Sequence, residues 1–146
     1  MLSRRALSEG EIRFRLGAKG FPEAQATEVL GRLRELGLVD DRNLCENLAR
    51  MYRDARRLGP RRIFGALLLR KFPRHLVEQT VRSVSRPEED LAAASAALGR
   101  KFRGEIPGGR EGAAKAFRFL SGRGFSPEIC RQAIRELSDD ITEGEG

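Results

Sequence analysis

The sequence predicts an all-α chain of three tandem copies of one three-helix unit, stacked as a curved, elongated solenoid with the first copy truncated. Three observations carry this. A short pattern recurs three times at nearly constant offset, apolar residues recur at helical spacing throughout, and no stretch alternates with a period of two. The pattern is Leu, two residues, a base, Gly or Lys, then Phe. It reads Leu16-Gly17-Ala18-Lys19-Gly20-Phe21, then Leu67-Leu68-Leu69-Arg70-Lys71-Phe72, then Leu120-Ser121-Gly122-Arg123-Gly124-Phe125. The phenylalanines lie 51 and 53 residues apart, and the match extends outward: Ile12 aligns with Ile63, Pro22 with Pro73, Leu30 with Val81 and Ile134, and Leu33 with Val84 and Leu137. Agreement at this many positions means stacked copies of one supersecondary unit.

Punctuation divides each copy. Ser8-Glu9-Gly10-Glu11 is a capping-box pattern that opens the helix carrying Ile12 and Leu16. The Gly20-Phe21 step breaks it, and Pro22, with a φ suited to a helix start, begins the next helix, with Ala26, Val29, Leu30 and Leu33 on one face. Gly37 stops that helix. Asp40 or Asp41 caps a long one bearing the stripe Leu44, Cys45, Leu48, Met51, Tyr52 and Ala55, predicted to end near Leu58-Gly59-Pro60. In the last copy the long helix starts near Pro87-Glu88-Glu89 and runs through Leu91, Ala94, Leu98 and Phe102; its final helix carries Ile129, Cys130, Ala133, Ile134 and Leu137. The predicted units are 1–39 (a helix pair), 40–86 and 87–137, with 138–146 an acidic disordered tail and 104–110 a flexible loop. Only seven residues precede Ser8, so the first copy has almost no room for a long helix: the expectation is either a helix pair or a true start upstream of Met1.

Charge is the first functional clue. The net charge is +7, but from Arg50 to Arg86 eleven Arg or Lys stand against Asp54 and Glu78, a local net of +9. After Arg135 come Glu136, Asp139, Asp140, Glu143 and Glu145 with no base. A basic middle beside an acidic end implies a polyanion or an acidic protein surface as partner, where an evenly solvated arginine-rich surface would lack the asymmetry. No apolar run is long enough for a bilayer span and no signal-peptide core follows Arg4-Arg5, so the expectation is a cytoplasmic protein without membrane contact. Cys45 and Cys130 sit at helical spacing among apolar residues and read as buried free thiols; with His75 as the one histidine, a zinc site would lack ligands. The sequence contains neither a phosphate-binding glycine loop ending in Lys-Ser/Thr nor His-Glu-x-x-His, and Asp40-Asp41 reads as a helix start rather than an acid–base pair. The expected protein is not an enzyme, and no cofactor or metal is expected.

An acid-opened helix followed by Arg-Arg-Leu-Gly-Pro-Arg-Arg-Ile at 56–63 and Leu-x-x-Arg-Lys-Phe at 67–72 resembles the signature of the RecX family. So does the earlier Leu-x-x-Lys-Gly-Phe with Leu33-Arg34-Glu35-Leu36-Gly37-Leu38-Val39-Asp40-Asp41. The resemblance spans about Ser8 to Leu137 and is most specific from Lys19 to Phe72. It implies tandem three-helix repeats and a cytoplasmic bacterial regulator that binds the RecA recombinase filament on DNA. Such regulators suppress its ATP hydrolysis, strand exchange and coprotease activities, and so limit recombinational repair and the SOS response. Two departures stand out. Lys71 replaces the usual glycine at the middle turn, which is tolerable where that residue keeps a negative φ, and the opening helix is cut short.

Arg53, Arg56 and Arg57, at i, i+3 and i+4, share one side of the predicted long helix, and Arg61 and Arg62 continue the charge past its break. With Arg70, Lys71 and Arg74 they form the expected binding ridge, for phosphates or for carboxylates on a filament; the simpler reading is that they serve neighbouring helix ends. Phe21, Phe72 and Phe125 read as core residues locking a corner, with base-stacking platforms the sharper alternative. The competing functional reading is a direct DNA-binding protein whose helix-turn-helix-like repeats read duplex DNA, against which the mixed Glu/Arg surface of Pro22 to Leu36 counts; weak non-specific DNA affinity fits both readings. No coiled-coil heptad demands a dimer, so the expected state is a monomer.

Overall fold

A computed structural model describes residues 5 to 145 except 104 and 107, with side chains as far as 139. Among the described residues there are eight α-helices and no strand: α1 Glu9–Ala18, α2 Glu23–Glu35, α3 Asp41–Asp54, α4 Pro60–Leu69, α5 Arg74–Val84, α6 Pro87–Phe102, α7 Gly109–Gly122 and α8 Pro127–Glu145. The all-helical repeat fold is as expected. The capping box forms: Ser8 Oγ accepts from the Glu11 N–H at 3.0 Å while the Glu11 carboxylate accepts from the Ser8 N–H at 2.9 Å. Asp40 caps α3 through the Asn43 N–H, and Asp41 accepts from the Glu9 N–H at 2.9 Å, so this acidic pair organises helix starts.

The second and third units each close around their own apolar centre. In the second, α3 lies on α4 and α5, burying Cys45, Ala49, Tyr52, Ile63, Leu67, Phe72, Val77 and Val84. In the third, α6 lies on α8 and α7 over Ala94, Leu98, Ala116, Leu120, Phe125, Cys130 and Ala133. Both cysteines are free and buried. Each fully buried Leu or Phe contributes about 1.5–3 kcal/mol, so these two units carry most of the hydrophobic stabilisation. The first pair differs. α1 buries no residue, and the phenylalanine that is 4% and 1% exposed at positions 72 and 125 is 46% exposed at position 21. The core reading therefore holds for Phe72 and Phe125 and is corrected for Phe21: in the other units the long helix lies over the short pair, and among the described residues no helix does so here.

Three local features depart from expectation. α3 ends at Asp54 rather than near Leu58, because Arg57 turns to φ +55 and the Leu58 N–H reaches back to the Tyr52 carbonyl at 3.0 Å. Lys71 does adopt the left-handed conformation, φ +64, as Gly20 and Gly124 do at the equivalent turns, so lysine here carries the strain that glycine would avoid. The sequence reads 138–146 as disordered, whereas α8 runs on to Glu145; neither glycine nor proline interrupts the chain between Leu137 and Gly144. The predicted loop shrinks, since α7 already starts at Gly109; its Gly104 and Pro107 lie outside the described residues.

Candidate functional site

The repeats meet through two equivalent junctions. In each, the N-terminus of one unit's middle helix docks on the turn that ends the middle helix of the next. At the first junction the Ser8 hydroxyl donates to the Arg70 carbonyl at 2.6 Å, and Gly10 lies so close to Lys71 that a Cβ would sit 2.2 Å from its carbonyl oxygen. At the second junction the Gly59 N–H donates to the Arg123 carbonyl at 2.8 Å and the Arg61 N–H to the Gly124 carbonyl at 3.2 Å. A Cβ on Gly59 would lie 2.4 Å from the Gly124 carbonyl carbon, and one on Gly124 would lie 2.5 Å from the Arg62 nitrogen. Positions 8 and 59 share the 51-residue offset, and 70 and 123 the 53-residue offset. The base in the repeated pattern is thus a clamp that reaches back across each junction.

Its electrostatics differ between the two. Arg70 donates to the Ala6 carbonyl at 2.7 Å and binds the Glu11 carboxylate through two nitrogens at 2.7 and 3.0 Å, a paired, largely buried arrangement. Arg123 makes the matching backbone bonds, donating to the Arg57 carbonyl at 3.0 Å and to the Arg56 carbonyl. The residue equivalent to Glu11, however, is Arg62, which donates to the Gly122 carbonyl at 2.7 Å. Burial, together with the charges of Arg62 and Arg57, lowers the Arg123 pKa below its ordinary value. The second junction keeps the clamp and loses its counter-ion.

Around that clamp lies an open cleft of about 630 Å³ lined by Arg56, Arg57, Arg100, Lys101, Arg103 and Arg123, with Ala55, Ala97 and Phe119 between them. No carboxylate lines it, and none of the six cations forms an ion pair among the described residues. Ala55, Arg103 and Arg123, the C-caps of α3, α6 and α7, all face it. Three helix ends supply about −1.5 elementary charges in partial form, so most of the six positive charges remain unanswered. Lys101 and Arg123 lie over the Phe119 ring, each 5.7 Å from its centre. Arg57 and Arg103 are two of the three non-glycine residues with positive φ among the described residues. A second cavity of about 490 Å³, lined in part by Arg56, Arg61, Arg62 and Arg70, adjoins the first through Arg56.

The predicted ridge is redistributed. Arg56 and Arg57 enter the cleft, and Arg61 and Arg62 border it. Arg53 does not join them: it is 5% exposed, pairs with Glu89 at 2.6 Å and Asp54 at 2.8 Å, and donates to the Val84 carbonyl at 2.7 Å, tying α3 to the start of α6. With α3 ending at Asp54, the shared helical face assumed for Arg53, Arg56 and Arg57 does not exist. Arg70 is committed to the first junction. Lys71 lies over Phe14 at 4.5 Å, and Arg74 pairs with Glu78 and covers Phe64; neither lines the cleft. Arg100, Lys101, Arg103 and Arg123 went unnoticed in the sequence, although the repeat alignment already placed Arg123 opposite Arg70. Among the described residues no group of metal-binding side chains gathers and no helix is long and apolar enough to cross a membrane.

Units of this kind, joined middle helix to middle helix, define a tandem three-helix-repeat protein. The model of the first three-helix domain of RecX matches residues 1–33, and that of the third matches residues 88–134. Regulatory protein RecX of Thermus thermophilus is 38% identical over 146 residues, covering 100% of this chain and 91% of its relative. That of Pseudomonas entomophila is 33% identical over 142 residues, covering 95% and 89%. The crystal structure of RecX from Lactobacillus salivarius superposes with a TM-score of 0.79 at 21% identity, over 94% of this chain and 89% of that one. The chain belongs to the RecX family of regulatory proteins.

Proposed function

We propose that this protein binds the RecA recombinase filament on DNA and suppresses its ATP hydrolysis, strand exchange and coprotease activities, so limiting recombinational repair and the SOS response. The observation that carries this reading is a run of uncompensated arginines at the second repeat junction of a RecX-family chain. A filament of recombinase on DNA offers both phosphates and carboxylates, and a repeat array can follow it over several subunits. On this reading the protein works as a monomer in the cytoplasm and has no catalytic residue of its own. Direct DNA binding then assists the filament interaction instead of replacing it.

The test is DNA-dependent ATP hydrolysis by the host recombinase with this protein titrated in at fixed salt. Inhibition at well below one molecule per recombinase monomer is the expected outcome. Unchanged hydrolysis with a folded, helical protein would overturn the reading.

A further inference from the structure

We propose that the turn at Lys19-Gly20-Phe21 is a docking socket for the start of an acid-bearing α-helix from a second protein. The inference rests on the filament reading only for which protein supplies that helix, a subunit of the filament. The socket itself follows from the two junctions inside the chain.

The chain shows twice what such a turn receives. At Arg70-Lys71 it receives the start of α1, and at Arg123-Gly124 the start of α4. The third copy of the turn is built to the same geometry. Lys19 ends α1 at φ −87 and ψ 1, identical to Arg123 after α7 and close to Arg70 after α4, at φ −84 and ψ 10. Gly20 follows at φ +91 and Gly124 at φ +97. The Phe21 N–H returns to the Leu16 carbonyl as that of Phe125 does to Leu120. Yet no helix start meets this turn among the described residues. Nothing lies within 4 Å of a Cβ placed on Gly20, whereas one on Gly124 meets the Arg62 nitrogen at 2.5 Å. The Lys19 and Gly20 carbonyls accept no backbone hydrogen bond, and the Lys19 ammonium forms no ion pair, among the described residues.

The same template names the chemistry of the occupant. A helix start brings unbonded N–H groups and positive partial charge to a helix end rich in carbonyls. A phosphate has no donor for those carbonyls. Ser8 and Gly59, which touch the two occupied turns, are small, and at the first junction Glu11 answers the base of the clamp. Lys19 stands where that base stands, so the matching helix carries an acid in its first turn. Lysine holds its water more strongly than arginine and lacks the rigid fork, which suits a contact that forms and releases. Phe21, 46% exposed where its counterparts are 4% and 1%, adds an apolar anchor beside the turn. A second copy of this chain has no helix start to offer. Those of α1 and α4 are engaged already, and their counterpart in the third unit, Gly112, is buried inside α7, which begins at Gly109. The array closes at one end and stays open at the other.

The test titrates a stapled, N-acetylated peptide of residues 7–18, which carries Ser8 and Glu11, into the isotope-labelled full chain and follows backbone amide shifts. Saturable shifts at Lys19, Gly20 and Phe21 are expected. Lys19→Glu should weaken the peptide by about 5-fold, since reversal turns an exposed attraction into a repulsion of similar size. A Glu11→Lys peptide should recover that loss on the variant. No shift at these three amides with millimolar peptide would overturn the proposal, as would shifts confined to Arg70 and Lys71, where the peptide displaces α1. Equal affinity for parent and variant would do the same. In the recombinase assay, Lys19→Glu should raise the concentration for half-inhibition by a similar factor at an unchanged thermal midpoint. Arg32→Glu, exposed on α2, should raise it by less than half as much, and equal effects count against the socket. A parent dimer that Lys19→Glu dissolves would assign the turn to self-assembly instead. A parent that binds the peptide and leaves hydrolysis unchanged removes the filament reading alone; one that inhibits without binding the peptide removes the socket alone.

Discussion

The two repeat junctions share a backbone and differ in charge. In both, a middle-helix N-terminus meets the turn after the next middle helix, a glycine permits the approach, and an arginine clamps the carbonyls of the preceding unit. At the first, Glu11 neutralises the clamp inside the molecule. At the second, Arg57, Arg62 and Arg123 crowd together, and none of the three forms an ion pair among the described residues. One supersecondary contact thus closes its charge within the molecule in one place and leaves it open in another. The difference comes from two side chains at equivalent positions, Ala6 against Arg57 and Glu11 against Arg62.

The glycines offer the largest break. Gly124→Ala sets a Cβ 2.5 Å from the Arg62 nitrogen at a residue with φ +97, so clash and strain act together. A loss of more than about 3 kcal/mol in urea denaturation is expected. Gly10→Ala meets the Lys71 carbonyl at 2.2 Å but holds only the first pair, in which α1 buries nothing. It should cost about 2 kcal/mol and appear as an early partial loss of helical signal. Gly31→Ala, with nothing within 4 Å of the added Cβ, should instead stabilise by about 0.5–1 kcal/mol. Equal behaviour of all three would mean that the close approaches are not structural.

The clamps come next. Arg70→Met leaves Glu11 largely buried without its partner and should cost about 3 kcal/mol. Arg123→Met loses hydrogen bonds to two carbonyls but relieves the crowding with Arg62 and Arg57, for a cost of about 1 kcal/mol. Titration of the first pair is a second check. Burial raises the Glu11 pKa, but hydrogen bonds from Arg70 and the Ser8 N–H and the charges of Arg70 and Arg5 outweigh it, so the value falls below the ordinary 4.5. Its stabilising contribution is therefore complete above about pH 4.5 and is lost as pH falls through the lower folded value. The gap between parent and Arg70→Met should close in acid, whereas the gap between parent and Arg123→Met should show no such carboxylate-linked change.

The repeat was legible because its offsets of 51 and 53 residues align turns and core positions without reference to three-dimensional structure. The capping box at Ser8, the acidic start of α3 and the burial of both cysteines followed from local pattern alone. What escaped detection depends on distant contacts. Ala55 to Leu58 contains no helix breaker, yet α3 stops at Asp54 so that Gly59 can reach the Arg123 carbonyl. That early stop removes the helical face on which Arg53, Arg56 and Arg57 were expected together. Arg53 then finds Glu89 and the Val84 carbonyl, partners 36 and 31 residues away. The cleft itself takes half its cations from α6 and its C-cap, whose arginines and lysine look in sequence like an ordinary basic helix end. Phe21 shows the converse limit: the repeated pattern names its place but not whether a helix covers it.

The smallest effect sharpens the comparison most. Arg62→Glu puts the acid of the first junction at the equivalent place in the second. The new carboxylate would face Arg123 and Arg57, while the bond from Arg62 to the Gly122 carbonyl would be lost. Because residue 62 is exposed, the new pair is screened and the net gain should be no more than about 0.5–1 kcal/mol in stability. The gain should carry the acid sensitivity of a carboxylate whose pKa is depressed, present above its unfolded value and lost below its folded one, as at Glu11. Two opposite changes are thus expected from one substitution: a slightly higher thermal midpoint and a weaker inhibition of recombinase hydrolysis. A variant that gains stability and inhibits as the parent does would show that the unpaired clamp is a packing accident. One that loses both would show that Arg62 serves α7 more than the cleft, and only the divergence of the two readouts fits a junction left positive for an anion from outside.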